Sequence, residues 1–139
     1  MESKLKYLEL IQNIITRMAN NSFKLREWTV LLATAGFAFA VKEPKFSQLF
    51  VIVMPILAFW WLDAYYLQQE RLYRALYNKA VKMEEKNIDF SLKATKENFP
   101  DKSNEYLRVL SSKTEVGFYA PLLFTFIIAF CIMIFIEKG

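Results

Sequence analysis

The sequence predicts an all-α membrane protein with three transmembrane helices, an amphipathic N-terminal helix and a cytoplasmic helical segment between spans two and three. The 139 residues are 55% hydrophobic and 17% aromatic, both high for a soluble domain, and yet 23% are charged. The charged residues concentrate in two stretches, and three apolar runs lie outside them. A chain of this length forms a single domain, here one membrane domain over residues 1–139.

Residues 4–24 are predicted to form the amphipathic helix. Apolar positions recur there at steps of three and four, a spacing that places them on one helix face: Leu5, Leu8, Ile11, Ile15 and Met18, followed by Ser22. Four basic residues share the segment. Such a helix either rests on the membrane surface or packs against cytoplasmic helices of the same assembly.

Span one is predicted over residues 23–41. The uncharged run Trp28–Val41 has 14 residues, which at about 1.5 Å each cover about 21 Å of a hydrocarbon core of about 30 Å. A run this short also suits a buried helix of a soluble protein. Extension back through Phe23, with Arg26 snorkelling to the membrane surface, supplies the missing length. Gly36 and Ala40 form a small pair suited to close helix packing.

Span two is predicted over residues 46–67, after a charged turn that contains Pro44. Tryptophan and tyrosine residues near its end match an aromatic belt at the membrane surface. No Gly or Pro follows Asp63 for more than 20 residues, so we expect the helix to continue to about Lys86. Residues 68–115 form the predicted cytoplasmic helical segment, with an irregular stretch at 87–102 and a short helix from Ser103.

Span three is predicted over residues 116–136, which contain no charge. Residues 1–27 carry five Lys and Arg and residues 71–113 carry ten, against two in the turn at 42–45 and one in the tail. Basic residues favour the cytoplasmic side. We therefore expect a bacterial inner-membrane protein with a cytoplasmic N-terminus and a periplasmic C-terminus.

The chemistry-bearing residues do not favour an enzyme. The chain has no His, and its single Cys131 lies in an apolar run, where a buried packing thiol is expected. The carboxylates near the membrane are Glu27, Asp63 and Glu70. The sequence shows neither a nucleophile paired with a general base nor a glycine-rich phosphate loop. We expect no catalytic residue, no metal site and no cofactor.

Basic and aromatic residues alternate on the helix that follows span two. They are the candidate ligand-binding residues Arg71, Arg74, Lys79, Lys82, Tyr73 and Tyr77. Basic side chains hold phosphates and aromatic rings stack on bases, as in single-strand binders. The alternative is that the charges only orient the protein and the tyrosines only pack between helices.

Polar residues at the cytoplasmic boundary are the candidate pore mouth: Asn20, Asn21 and Asp63. Asp63 can also form an ion-pair cluster with Arg71 and Arg74 on its own helix, near Arg17 and Arg26. The alternative is that Asp63 merely caps and solvates the end of span two.

Two blocks, RMANNSFKLREWTVLLATAGFAFA at 17–40 and FWWLDAYYLQQERLYRALY at 59–77, resemble small bacterial anti-phage membrane effectors of the Hailong type, within the SLATT-like class of nucleotide-controlled effectors. The resemblance implies a homo-oligomeric channel that depolarises the membrane of an infected cell. It also implies a partner nucleotidyltransferase whose product, a single-stranded DNA oligomer, holds the channel shut. SLATT-like proteins usually have two spans, and the third span here differs from that pattern.

The function predicted from these observations is a homo-oligomeric, ligand-gated membrane pore that acts as a growth-arresting defence effector. Its partners are other copies of itself, with a tetramer expected, membrane lipid, a single-stranded oligonucleotide and the nucleotidyltransferase. The alternative is a non-conducting scaffold or accessory subunit that docks a cytoplasmic partner.

Overall fold

The protein, described over all 139 residues by a computed structural model, is entirely helical and contains no strand. Its helices are α1 (Glu2–Ala40), α2 (Phe46–Lys82), α3 (Tyr106–Leu110) and α4 (Lys113–Lys138), with single 3₁₀ turns at Glu85–Asn87 and Lys102–Asn104. The all-α prediction is confirmed.

Helix α1 joins two segments that the sequence analysis treated separately. The predicted amphipathic helix at 4–24 and span one at 23–41 form one continuous helix of 39 residues. No Gly or Pro separates them, and Asn20 and Asn21 do not interrupt the backbone hydrogen bonds. The buried face of residues 4–24 also differs from the predicted apolar face at its start. Tyr7 is buried there, whereas Leu5 is 61% exposed.

Helices α1 and α2 form a long antiparallel hairpin. Gly36 of α1 faces the backbone of α2, where a Cβ atom would lie 3.2 Å from the carbonyl oxygen of Val51. Ala33 and Ala40, on the same face, are fully buried. These small residues therefore bring α1 and α2 together within one chain.

Helix α4 completes a three-helix bundle at the end of the hairpin that contains the 42–45 turn. We define the bundle as residues 22–40, 46–63 and 113–138. Its core contains two buried clusters, Ala33, Ile56 and Tyr119, and Ala40, Ile52, Phe130 and Ile134. Cys131 is exposed on the outside of α4, so the expectation that its thiol is buried was wrong for the single chain.

Two of the helices, α2 and α4, are long and apolar enough to cross a membrane, and they contain the second and third predicted spans. Only 22% and 17% of their most apolar stretches are buried within the chain. The core helix of a soluble protein would be mostly buried, whereas these helices turn large apolar side chains outward.

The other end of the hairpin, residues 2–21 and 64–82, forms a two-helix stalk. A strap, residues 83–105, folds back over it and buries Ile88 and Ala94 against the stalk core. Helix α2 ends at Lys82, four residues before the predicted end. The ammonium of Lys4 caps this end of the helix, because it binds the carbonyl oxygens of Val81 and Met83 at 2.9 and 2.7 Å.

Candidate functional site

Five polar side chains meet where the stalk joins the bundle. Helix α1 contributes Ser22 and Arg26, α2 contributes Asp63, and α4 contributes Glu115 and Tyr119. We call these five residues the junction cluster. Asp63, Glu115 and Tyr119 are completely buried. The cluster is the one place where all three long helices exchange polar contacts.

Asp63 lies at the centre of the cluster and accepts three hydrogen bonds. The Nε atom of Arg26 lies 2.8 Å from Oδ2, and the hydroxyl of Tyr119 donates to the same oxygen at 2.9 Å. The hydroxyl of Ser22 donates to Oδ1. Both carboxylate oxygens therefore have partners, which is what allows a buried aspartate to be stable.

Glu115 is less well satisfied than Asp63. Its Oε1 atom accepts from Nη2 of Arg26 at 3.2 Å, but its Oε2 atom is buried without any hydrogen-bond partner. Two carboxylates thus share one guanidinium in an enclosed site. A buried acceptor left without a donor costs about 1–3 kcal/mol, so Glu115 is the energetically strained member of the cluster.

Aromatic rings shield the cluster from solvent. Trp60 stacks on Tyr119 with ring centroids 5.8 Å apart and planes 3° from parallel, and its Nε1 donates to the carbonyl oxygen of Leu110 at 3.1 Å. The guanidinium of Arg26 lies 5.2 Å from the ring centroid of Phe118. Asp63 and Glu115 are completely buried beside these rings, whereas the Arg26 side chain keeps 24% of its surface exposed, so one partner of each ion pair still meets solvent.

The structure corrects several expectations about this boundary. Arg26 points into the bundle and does not snorkel to the surface. Of the arginines expected to pair with Asp63, Arg26 does so, whereas Arg71 binds Ser103 and Arg74 binds Glu70. Glu115 was missed among the carboxylates near the membrane, although it directly precedes the predicted third span. The signal that could have found it is the spacing of Glu115 and Tyr119, four residues apart and hence on one helix face.

The three predicted pore-mouth residues do not lie together. Asp63 is buried inside the chain, Asn21 is half-buried, and Asn20 is exposed. Asn20 is two residues from Ser22, the partner of Asp63, so it points about 200° away around α1. Ser22, which directly follows Asn20 and Asn21 in the sequence, is the hydroxyl group of α1 that bonds Asp63.

The six predicted ligand-binding residues divide between opposite sides of α2. At about 100° per residue, Arg71, Arg74, Lys79 and Lys82 share one arc of the helix, and the tyrosines lie on the other side. Tyr73 and Tyr77 are half-buried against the stalk core. This position matches the packing alternative for the tyrosines and leaves the basic residues facing outward.

Arg71 and Arg74 line an open groove of about 730 Å³ between α2 and the strap. Arg71 donates through Nη1 to the carbonyl oxygen of Ser103 at 3.0 Å. Arg74 donates through Nε and Nη2 to Oε1 of Glu70 at 2.9 and 2.8 Å, and its side chain stays 60% exposed. The groove therefore offers two arginines with donors to spare.

Asp101 lies in the same groove and reduces its positive charge. The backbone N–H of Ser103 donates to Asp101 Oδ1 at 2.8 Å, and this hydrogen bond holds the pKa of the carboxyl below its usual range. Asp101 is thus charged at neutral pH. The groove lining carries two arginines and one aspartate, and Glu70 beside it pairs with Arg74.

Comparison of the chain with protein-family models, with curated proteins and with solved structures finds no match.

Proposed function

We propose that this chain is one subunit of a homo-oligomeric membrane pore controlled by an anionic ligand bound to its stalk. The observation that carries the proposal is the apolar exterior of the bundle, where Phe39, Phe50 and Phe135 are 59%, 66% and 80% exposed. Rings of this size are stable on all three helices only in contact with lipid or with other copies of the chain. The exterior supports three spans, at 23–41, 46–67 and 116–136.

The orientation of these spans follows from the charges. The stalk and strap carry most of the Lys and Arg, and the turn at 42–45 lies at the opposite end of the bundle. The positive-inside rule then places the stalk and the N-terminus in the cytoplasm and the C-terminus in the periplasm of a bacterial inner membrane. The junction cluster lies at the cytoplasmic boundary in this arrangement.

Conduction requires several copies of the chain. The interior of one bundle is filled by side chains such as Ile56, Tyr119 and Phe130, all completely buried, so no path runs through a single subunit. A path between copies, around a symmetry axis, is the remaining arrangement. A tetramer is the proposed assembly, and Asp63 acts in it by holding the three helices together.

The groove beside α2 supports the proposed ligand. Arg71 and Arg74 can each bind a phosphate while keeping their present partners, because a guanidinium has five N–H donors. We propose a single-stranded oligonucleotide, made by a partner nucleotidyltransferase, as the ligand that controls the pore. Opening of the pore would collapse the membrane potential and arrest growth, the role of a defence effector.

One observation favours a second candidate, a non-conducting scaffold. The outer faces of the bundle carry very few polar side chains, and the charges of the junction cluster are directed to one another. A path between copies would then be hard to wet. In that case the stalk and strap would dock a cytoplasmic partner, and the bundle would only anchor it.

Ion flux from liposomes that contain the purified protein separates the two candidates. We expect dye-reported flux from the wild type, with a response to added single-stranded oligonucleotide. The double charge reversal Arg71→Glu and Arg74→Glu should abolish that response and leave membrane insertion intact. A matched control is Lys6→Glu with Lys96→Glu, which reverses two exposed charges of the stalk and strap outside the groove. Absence of flux at any ligand concentration would favour the scaffold.

A further inference from the structure

A second, more enclosed cavity lies on the other side of the strap. It has a volume of about 260 Å³ and is bounded by α1, the last turns of α2, and the strap. Its apolar wall includes Leu76, Ala80, Ile88 and Phe99. Tyr7 of α1 closes one side by donating its hydroxyl to the carbonyl oxygen of Ser91, and burial raises the pKa of this tyrosine so that the hydroxyl stays protonated.

Two lysines without partners reach the rim of this cavity. The ammonium groups of Lys79 and Lys93 make no hydrogen bond or ion pair within the chain, and that of Lys79 lies 6.0 Å from the ring centroid of Phe99. Asp89 also lines the cavity, with Oδ1 accepting from the backbone N–H of Ser91 at 3.0 Å. The rim thus carries two free positive charges and one carboxylate.

Uncharged polar groups complete the lining. Asn87 and Asn98 also line the cavity, and neither side-chain amide makes a hydrogen bond within the chain. Each amide offers donors and an acceptor to a planar heterocycle. The cavity therefore combines an apolar wall with an aromatic ring, free amides, two ammonium groups and one carboxylate.

We infer that this cavity binds a single nucleotide unit, with its base against the Phe99 wall, its phosphate at Lys79 and Lys93, and a sugar hydroxyl at Asp89. Lysine ammonium groups bind phosphate, aromatic rings stack on bases, and carboxylates accept from sugar hydroxyls. The cavity volume of about 260 Å³ lies just below the usual range for ligand pockets, about 300–1,000 Å³, so the cavity has room for at most one unit. The inference rests on the proposed function in one respect, that the stalk lies in the cytoplasm.

A lipid headgroup is too far away to be the occupant. Lys79 follows Asp63 by 16 residues of unbroken helix, which places it about 24 Å beyond the junction cluster. The headgroup layer extends only about 5–8 Å beyond the hydrocarbon core. A water-soluble nucleotide remains, either free or as the terminal unit of an oligonucleotide.

The groove and the cavity are adjacent. They share Asn98 and Phe99 of the strap, so a chain whose end occupies the cavity can cross Phe99 and lay its next phosphates beside Arg71 and Arg74. This geometry predicts recognition of a terminus, whereas the groove alone would bind any part of a strand. Occupancy of the cavity would also fasten the strap to Tyr7 and so couple ligand binding to the start of α1.

Calorimetric titration of the full-length protein in detergent tests the inference. The probes are the four ribonucleoside 5′-monophosphates, inorganic phosphate, and a 5′-phosphorylated single-stranded oligonucleotide. We expect at least one mononucleotide to bind more tightly than phosphate. Lys79→Ala with Lys93→Ala should weaken that binding by about tenfold or more, since two charge-assisted contacts are lost. The matched control Lys6→Ala with Lys96→Ala removes two exposed charges of the same segments and should change binding by less than about twofold.

The oligonucleotide distinguishes the two sources of the nucleotide. If the Lys79 and Lys93 variant loses as much affinity for the oligonucleotide as for the mononucleotide, the occupant of the cavity is a strand terminus. If its affinity for the oligonucleotide is unchanged, the occupant is a free nucleotide. The inference is overturned if no mononucleotide binds better than phosphate, or if the control variant loses as much affinity. Failure of the proposed pore is a separate result, because wild-type liposomes without ion flux can still contain a protein that binds the mononucleotide.

Discussion

Arg26 and Asp63 form an ion pair in which Nε lies 2.8 Å from Oδ2 and the carboxylate is completely buried. Arg26 lies in the middle of α1 and Asp63 in the middle of α2, so the pair sets the register of the hairpin where the stalk meets the bundle. Glu115 joins the same guanidinium and brings the start of α4 to this level. One arginine thereby aligns the three long helices.

The first prediction concerns this arginine. Arg26→Met leaves two buried carboxylates without their cation, and we expect it to lower the free energy of unfolding by about 3–5 kcal/mol. Arg74→Met breaks the exposed pair with Glu70 and should cost less than about 1 kcal/mol. Circular dichroism during thermal unfolding in detergent measures both. Similar losses in the two variants would show that the junction cluster does not hold the helices together.

The second prediction separates the two carboxylates. Glu115→Gln keeps an oxygen for Arg26 and removes the second negative charge that shares its guanidinium. We expect stability to be unchanged or to rise by about 1 kcal/mol. Asp63→Asn should be destabilising, because an amide oxygen cannot replace both carboxylate oxygens in three hydrogen bonds. The same thermal unfolding assay ranks the two variants, and the reverse order would contradict the assignment of Asp63 as the centre.

The third prediction tests the close contact between α1 and α2. A side chain at Gly36 would meet the carbonyl oxygen of Val51, which cannot move without displacing the helix, so Gly36→Leu should cost about 1–3 kcal/mol. Gly117→Leu is the matched control. Nothing lies within 4 Å of a Cβ atom at Gly117, and the better helix former should leave stability unchanged or improve it by up to about 1 kcal/mol. Equal effects would show that Gly36 is not a packing position.

The fourth prediction concerns topology. In a Cys131→Ser background, Glu43→Cys should react with a membrane-impermeant maleimide in intact spheroplasts, because the 42–45 turn is proposed to be periplasmic. Lys96→Cys, in the strap, should react only after the membrane is permeabilised. Both positions are exposed in the chain, so access to the thiol depends on the membrane alone. Labelling of Lys96→Cys in intact spheroplasts would reverse the proposed orientation.

Much of the helical architecture follows from local sequence patterns. The turn before Phe46, the continuation of α2 past Asp63, and α4 around the uncharged run were predicted near their observed bounds. Each of these features depends on a local property of the sequence, such as the absence of Gly and Pro or the absence of charged residues. The continuity of α1 was not predicted, because the composition changes from charged to apolar near residue 24, although no Gly or Pro in that stretch breaks the helix.

The sequence by itself determined which residues share a helix face, because about 100° of rotation per residue is a property of the backbone alone. Hence Gly36 and Ala40 were correctly predicted to lie on one packing face, and Asp63 was recognised as a candidate for pairing with arginine. Only the tertiary structure decided which face meets which neighbour. The rotation of α1 turns Ser22 and Arg26 toward Asp63 and leaves Asn20 outside, and the approach of α4 brings in Glu115 from 52 residues further along the chain. Contacts at such separations depend on how all three helices pack at once, and no local pattern records that.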